Sequence, residues 1–236
     1  MRIDVLSAFP QMFSGILQAS ILRRALEGNH LHLWIHNLRH FTEDTHGRLD
    51  DYPYGGGPGM VLRAEPVFKA LDCLYAQSEE KPALIYFTPQ GRLFTQEMAR
   101  DFSGNPWMIL LCGHYKDIDA RIVQRDPWQE VSIGDFVLSG GETAAVVFID
   151  AVARLLPGVL GDEASASNDS FEDGLLDAPY FTRPEEINRL TVPEVLRSGN
   201  HERIAQWRQG EREGRTQERR PDLWEKHQQR EKHKSQ

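Results

Sequence analysis

The residues best placed to do chemistry in this chain are glycines at the ends of apolar runs. Gly140 and Gly141 stand between the strand-like run in Ser132–Leu138 and a helical pattern from Ala144 to Leu156. Adjacent glycines between a strand and a helix let the backbone take positive φ and approach a ligand with no side chain intervening. Such a pair cradles a ligand or simply turns the chain. Two further apolar runs also end at glycine: Ala83–Thr88 at Pro89, Gln90 and Gly91, and Trp107–Cys112 at Gly113, His114 and Tyr115. Ligands of parallel α/β sheets bind beyond the carboxyl ends of strands, so the three turns are expected to converge on one pocket. Gly55, Gly56, Gly57 and Gly59 close a polar stretch, Phe41 to Met60, that reads as a long loop of the kind often used as a functional lid. It is not a Walker phosphate loop, because no Gly-Lys-Ser/Thr follows.

Other chemistries find no support. No Ser-His-Asp order can be read, the nucleophile elbow and the G-x-G-x-x-G fingerprint are absent, and no Cys or His pairs have zinc-finger spacing. His32, His36 and His40 would share a metal-binding face only on a helix, whereas the alternation over Leu31–Leu38 reads as a strand. Cys73 and Cys112 are expected to be small buried hydrophobes rather than a disulfide or metal pair. The residues alone therefore describe an α/β protein with a glycine-lined pocket for a nucleotide-like molecule, a nucleotide-sugar or dinucleotide enzyme being the alternative.

The elements that must position these turns can be read from apolar periodicity. Arg2–Phe9 is a strand buried on both faces, and Pro10 then opens a helix carrying Phe13, Ile16, Leu17 and Ile21. Glu65 and Pro66 open a helix towards Tyr75, and Ala83–Thr88 is a short buried strand closed by Pro89-Gln90-Gly91. Thr95–Phe102 is helical, Trp107–Cys112 is the most apolar strand, Asp119–Arg125 is a short helix and Glu130–Leu138 another strand. Residues 161 to 174 have linker composition, and helices are expected over Val195–Gly210 and Arg215–His227.

At 236 residues and 40% hydrophobic, the chain can bury one substantial core with enough left for a small second domain. No apolar run approaches the length needed to span a bilayer and no signal-peptide pattern opens the chain, so a cytoplasmic location and no membrane partner are expected. The net charge of −8 is uneven: residues 201–236 hold ten Lys and Arg against seven Asp and Glu, giving +3 and leaving −11 for the first 200. If the protein touches RNA, this tail should contribute, through Arg212, Arg215, Arg219 and Arg220. A solvated helix surface is the plainer account of the same charges.

An ordered series of motifs adds more. Pro53-Tyr54-Gly55-Gly56-Gly57-Pro58-Gly59-Met60, Thr88-Pro89-Gln90-Gly91, Cys112-Gly113-His114-Tyr115, Ser132-Ile133-Gly134-Asp135 and Leu138-Ser139-Gly140-Gly141-Glu142 occur in that order. Asp150-Ala151-Val152-Ala153-Arg154, Pro157-Gly158-Val159-Leu160, Asp169-Ser170-Phe171 and Gly174-Leu175-Leu176-Asp177 follow. Over nearly its whole length the chain resembles the bacterial tRNA (guanine-N1)-methyltransferases that modify guanine 37, beside the anticodon. The resemblance implies an α/β fold of the SPOUT type: a mostly parallel sheet with a C-terminal trefoil knot, followed by a small all-helical domain. Periodicity alone implies no knot, since unknotted connections are the general rule. The corresponding division is 1–160 for a knotted S-adenosylmethionine-binding domain, 161–176 for a flexible linker carrying Asp169, and 177–236 for a helical, basic tRNA-binding domain.

By the same resemblance the methyl donor, S-adenosylmethionine, is held by Tyr86, Thr88, Pro89, Gln90, Gly91, Gly113, Tyr115, Ile133, Gly134, Phe136, Leu138, Ser139, Gly140 and Gly141. The family is an obligate homodimer acting on tRNA, with magnesium as an expected accessory ion. The resemblance implies that Arg154 lies near the target base and that Asp169 reaches it from the partner subunit. The chemistry suits these types: guanine N1 carries a proton that a carboxylate can accept, and charge developing on O6 can be met by a guanidinium.

The chain departs from the family at Tyr115-Lys116-Asp117, where the usual reading is Tyr-Glu-Gly. A cation about 4 Å from the donor's sulfonium would cost roughly 4 kcal/mol at an effective dielectric near 20. Lys116 is therefore expected to point elsewhere or to be neutralised, with Asp117 as the obvious neighbour. Thr88, Phe136, Ser139 and Ala144 are milder departures that keep shape or hydroxyl. A relative that binds tRNA and donor but is impaired in catalysis is the alternative that the Lys116 and Asp117 change raises.

Overall fold

The computed structural model describes residues 1–161 and 169–234, with side chains to 232. The chain divides into two compact units, Met1–Glu163 and Ala164–Gln236. The first is built on five parallel strands in the order β2-β1-β6-β5-β8, where β1 is Arg2–Ser7, β2 His32–Asn37, β5 Ala83–Leu93, β6 Trp107–Leu111 and β8 Gln129–Ser132. Strand alternation divides the core in two. Ile3, Val5, Ile85, Phe87, Met108 and Leu110 point into one cluster, while Leu6, Leu84, Tyr86, Trp107, Ile109 and Leu111 point into the other. Helices α1 (Ser20–Glu27), α3 (Gln96–Ser103) and α5 (Gly141–Ala153) contribute to the first cluster; α2 (Ala64–Tyr75) and α4 (Arg121–Arg125) contribute to the second.

Several boundaries differ from those read in the sequence. Pro10 opens a 3-10 turn, Pro10–Phe13, followed by a second, Ile16–Gln18, and the α-helix begins only at Ser20. The strand from Ala83 does not stop at Thr88 but runs on to Leu93, because a register irregularity between Phe87 and Arg92 absorbs Pro89 and lets both ends pair with β8. Conversely, β8 ends at Ser132 rather than Leu138. Gly134 takes φ +148 there and the Phe136 ring folds back over it, which a Cβ would block at 2.3 Å. Cys73 is exposed rather than buried: the inward stripe of α2 is Val67, Ala70, Leu71 and Leu74, and Cys73 falls outside that spacing. Cys112 is buried, and burial together with the nearby Glu142 charge pushes its thiol up.

The long loop after Phe41 is not structureless. It contains β3 (Asp50–Asp51), which pairs antiparallel with β4 (Val61–Leu62), and β4 pairs in parallel with β7 (Asp117–Ile118). This small sheet sets the glycine-rich segment beside the chain leaving β6: the Lys116 amide donates to the Met60 carbonyl at 2.9 Å.

Asp4, fully buried, accepts from Arg2 Nε at 2.6 Å and Trp107 Nε1 at 2.7 Å, and lies 2.6 Å from His36 Nε2. Burial opposes ionisation of the carboxyl, but the His36, Arg2 and Trp107 hydrogen bonds outweigh it and hold Asp4 below its ordinary value. The stabilisation is therefore complete above the ordinary carboxylate range and is lost as pH falls through it towards the depressed folded value. Asp4→Asn should lower the melting temperature at neutral pH and flatten its fall below about pH 4; thermal melts from pH 7 to 3 measure both.

In the second unit, β9 (Glu186–Ile187) and β10 (Leu190–Thr191) form an antiparallel pair, followed by α6 (Glu194–Arg197), α7 (His201–Arg219) and α8 (Pro221–Lys234). The expected break near residues 210–215 is absent, since Gly210 and Gly214 lie inside α7 at a propensity cost of about 1 kcal/mol each. Proline ends α7 instead: Pro221 stands at the first helical position of α8. Of the expected linker, residues 162–168 lie outside the described residues. The remainder folds on itself, with Phe171 N donating to Leu175 O at 2.8 Å and Asp177 N to Ser170 Oγ at 2.9 Å. It is fixed to α7 by Leu176 N to Thr216 Oγ1 at 2.9 Å and Arg212 Nη2 to Asp173 Oδ1 at 2.6 Å.

Candidate active site

The three glycine turns do meet. The segments after the first part of β5, after β6 and between β8 and α5 enclose a cavity of about 240 Å³. Tyr86, Thr88, Pro89, Gln90, Gly113, Tyr115, Ile133, Gly134, Phe136, Leu138, Ser139, Gly140 and Gly141 line it. Two features hold the turns together. Gly141 N donates to Gly113 O at 2.8 Å, and His114 and Gly140 form an isolated antiparallel bridge. A Cβ on Gly141 would sit 2.7 Å from Cys112 Cα, so the close approach of the β6 exit to the start of α5 requires glycine.

Gly91 has a different place from the other expected pocket residues. It does not line the cavity; its backbone packs against β8, where a Cβ would meet Val131 N at 2.4 Å. Its glycine is thus accounted for by strand packing.

The rim is apolar and exposed, with Phe136 at 54%, Leu138 at 38% and Tyr115 at 38%. Tyr115 takes φ +67, a conformation that bulky residues adopt at a cost and that recurs at ligand sites. Burial, and then Asp50, push the Tyr115 phenol up.

Two charged side chains border the cavity, Lys116 and Asp117. Asp117 Oδ1 accepts from the Tyr86 hydroxyl at 2.8 Å and from the Ile118 amide at 2.7 Å. Burial first, then the Asp117 hydrogen bond and charge, drive the Tyr86 phenol far up, so it remains a neutral donor. Lys116 is exposed and passes beside Gly59, whose Cβ would lie 3.5 Å from Lys116 Cβ. No ion pair joins Lys116 to Asp117 among the described residues.

The expected catalytic pair, Arg154 and Asp169, falls in the two different units. Arg154 caps the C-terminal end of α5 and lines not this cavity but a second, larger groove of about 570 Å³, with Ile16, Ile21, Val146, Val147 and Asp150. Asp169 belongs to the second unit, where its carbonyl accepts from Glu172 N at 3.3 Å. Of the tail arginines, Arg212 is tied to Asp173 with its side chain 17% exposed, and Arg220 pairs with Asp222 at 2.7 Å. Arg215 and Arg219 lie on α7.

Sequence reasoning missed one group entirely. Glu142, in the first turn of α5, is fully buried beneath the glycine turn, with Ser7 Oγ donating to Oε1 at 2.6 Å and His114 Nε2 2.7 Å from Oε2. The available signal was an acidic residue directly after Gly140-Gly141 at the head of a mostly apolar helix.

The His32, His36 and His40 spacing falls on a strand and a following 3-10 turn, and His36 is engaged by Asp4. Among the described residues no group of three or more His, Cys, Asp or Glu side chains could hold a metal ion. Nor is any described helix long and apolar enough to cross a membrane.

Comparison with known proteins agrees with the motif series. The profile of a family described as tRNA (Guanine-1)-methyltransferase TrmD matches residues 1–226. A tRNA (guanine-N(1)-)-methyltransferase of Anoxybacillus flavithermus is 50% identical over 225 residues, 95% of this chain and 92% of that protein. Proteins of the same name from Bacillus cereus and Dehalococcoides mccartyi are each 48% identical, over 94% and 96% of this chain and 91% of their own lengths. The chain belongs to the tRNA (guanine-N1)-methyltransferase family.

Proposed function

We propose that this chain transfers the methyl group of S-adenosylmethionine to N1 of guanine 37 in tRNA. The observation that carries the reading is the convergence of three strand-end turns on one cavity bordered by Asp117, in a chain of this family. S-adenosylmethionine supplies, when bound, an electrophilic methyl group on a sulfonium. The turns through Gly113 and Gly140 bring backbone groups to the cavity for hydrogen bonds to it, the rim residues Tyr115, Phe136 and Leu138 cover it, and the Asp117 carboxylate offsets its positive charge. Asp169 accepts the N1 proton of guanine, and Arg154 meets the charge that develops on O6.

The motif series shared with the family supports a homodimer in which Asp169 serves the partner's site. The exposed Ile16 and Val147 on the groove beside Arg154 give that dimer an apolar surface to bury. The crossing of the three turns is the region where the trefoil knot of the SPOUT fold is proposed. The second unit, from residue 177 onward, is assigned to tRNA, and the cytoplasm is the expected place of action. Among the described residues no group of three or more His, Cys, Asp or Glu side chains could hold a magnesium ion.

Calorimetry with S-adenosylmethionine, followed by digestion of unmodified tRNA incubated with enzyme and donor, tests the reading. It requires saturable donor binding and 1-methylguanosine in the digest; donor binding without methylated guanine would leave only an impaired relative.

Asp117→Asn should weaken donor binding by on the order of 1 kcal/mol, about fivefold, because a charge bordering the sulfonium is removed. Lys116→Ala should change donor binding less, since the Lys116 stem packs along the glycine loop at the border of the cavity. Unchanged donor affinity in Asp117→Asn removes its charge-balancing role. For RNA, neutralising Arg215 and Arg219 together should reduce the salt dependence of tRNA binding by about two phosphate contacts' worth of slope, with donor affinity unchanged. Arg212→Gln should instead lower the melting temperature, because it breaks the tie to Asp173. An unaltered slope on the double variant assigns those charges to a solvated surface.

A further inference from the structure

We infer that Ser7, Glu142 and His114 are positioning residues that fix the Gly140–Gly141 turn and so set affinity for the methyl donor. The inference rests on the donor reading above. Glu142 is a carboxylate with no exposure, placed under a cavity it does not line. A buried carboxylate is costly unless its oxygens are satisfied, and here each oxygen has one partner from a different part of the chain. Ser7, itself fully buried at the end of β1, donates its hydroxyl to Oε1 at 2.6 Å; His114, at the exit of β6, lies 2.7 Å from Oε2 through Nε2. The start of α5, where the negative end of a side chain is favoured by the helix dipole, supplies the third anchor.

The network bears directly on the glycine turn. The His114 ring lies against Gly140, where a Cβ would come within 2.1 Å of Nε2, and the His114 and Gly140 backbones form a bridge. The ring also packs on Phe9, centroids 4.6 Å apart, and Ser7 Oγ accepts from Phe9 N at 2.9 Å. Ser7, Phe9, His114 and Glu142 thus close a ring of contacts around the backbone that reaches the cavity. The imidazole lines the cavity between Gly113 and Tyr115, and it holds the turn through this hydrogen bond and its packing. A side chain that donates from the same place should therefore replace it, and one that only fills the space should not.

The test compares full-length wild type with His114→Gln, His114→Leu and Ser7→Ala by calorimetry with S-adenosylmethionine, by steady-state methyl transfer to tRNA, and by thermal melts. His114→Leu should weaken the donor about tenfold, raising the donor KM while leaving kcat at saturating donor and tRNA affinity near wild type. His114→Gln, whose amide can donate to Glu142 Oε2, should recover most of that loss, and Ser7→Ala should weaken the donor in the same direction. If His114→Leu fails to fold, Ser7→Ala at the far end of the network decides. Wild-type donor affinity in the foldable variants overturns the inference, as does equal weakening by Gln and Leu, or a loss confined to kcat. If wild type binds no S-adenosylmethionine, the methyltransferase reading fails first and this inference falls with it.

Discussion

Asp169→Asn is expected to slow methyl transfer by about a hundred- to ten-thousandfold, the range typical of removing a positioned general base, with donor and tRNA affinities unchanged. The amide keeps the shape of the carboxylate and cannot take the N1 proton, so the loss should fall on kcat rather than KM. Because Asp169 is proposed to serve the partner's cavity, the same variant also tests the dimer. A mixed dimer joining one Asp169→Asn chain to one chain disabled in its donor cavity should recover one working site of the two. Recovery of nothing would place Asp169 and the cavity of a single chain in the same site. Full activity in an isolated monomer would remove the partner's contribution altogether.

The second large effect is expected from Gly141→Ala. Its Cβ would be 2.7 Å from Cys112 Cα and 2.9 Å from Gly113 N, and neither neighbour is a flexible side chain that can swing aside. Relief requires the β6 exit and the α5 start to separate, which also lengthens the 2.8 Å hydrogen bond from Gly141 to Gly113. Overpacking of this sort costs about 1–3 kcal/mol, or about 2–4 °C in melting temperature per kcal/mol for a chain of this size. Donor binding should fall by more than about tenfold, since the two turns that separate are the ones lining the cavity. Gly161→Ala, where a Cβ would meet nothing within 4 Å, is the matched control and should change neither. Normal donor affinity in Gly141→Ala would mean that the turn does not form the pocket.

What could be read in advance follows from how local each cause is. Strand β6 was legible because both faces are buried, which makes five apolar residues in a row, and the glycines after each strand marked where a ligand could approach. The ends of β5 and β8 were not legible. Pro89 suggested a stop, but a strand irregularity carries the chain past it, and β8 ends where Phe136 folds over Gly134, a contact that no periodicity encodes. Gly91 looked like its neighbours in the motif, yet its reason is the backbone of β8 forty residues later. Ser7 and Glu142 are 135 residues apart, and nothing in either neighbourhood announces that they meet. The helical tail was divided at its glycines, whereas α7 tolerates them and ends before Pro221. Catalytic assignments for Asp169 and Arg154 came from the motif series, since by periodicity one is a linker acid and the other a helix-surface residue.

The proposed methyl transfer is tested most directly with two tRNA transcripts that differ only at position 37, one with guanine and one with adenine, incubated with enzyme and S-adenosylmethionine carrying a labelled methyl group. One methyl group per guanine-37 transcript is expected, recovered as 1-methylguanosine at that position, and none on the adenine-37 transcript. Equal labelling of both transcripts, or label on guanine elsewhere in the molecule, would contradict it.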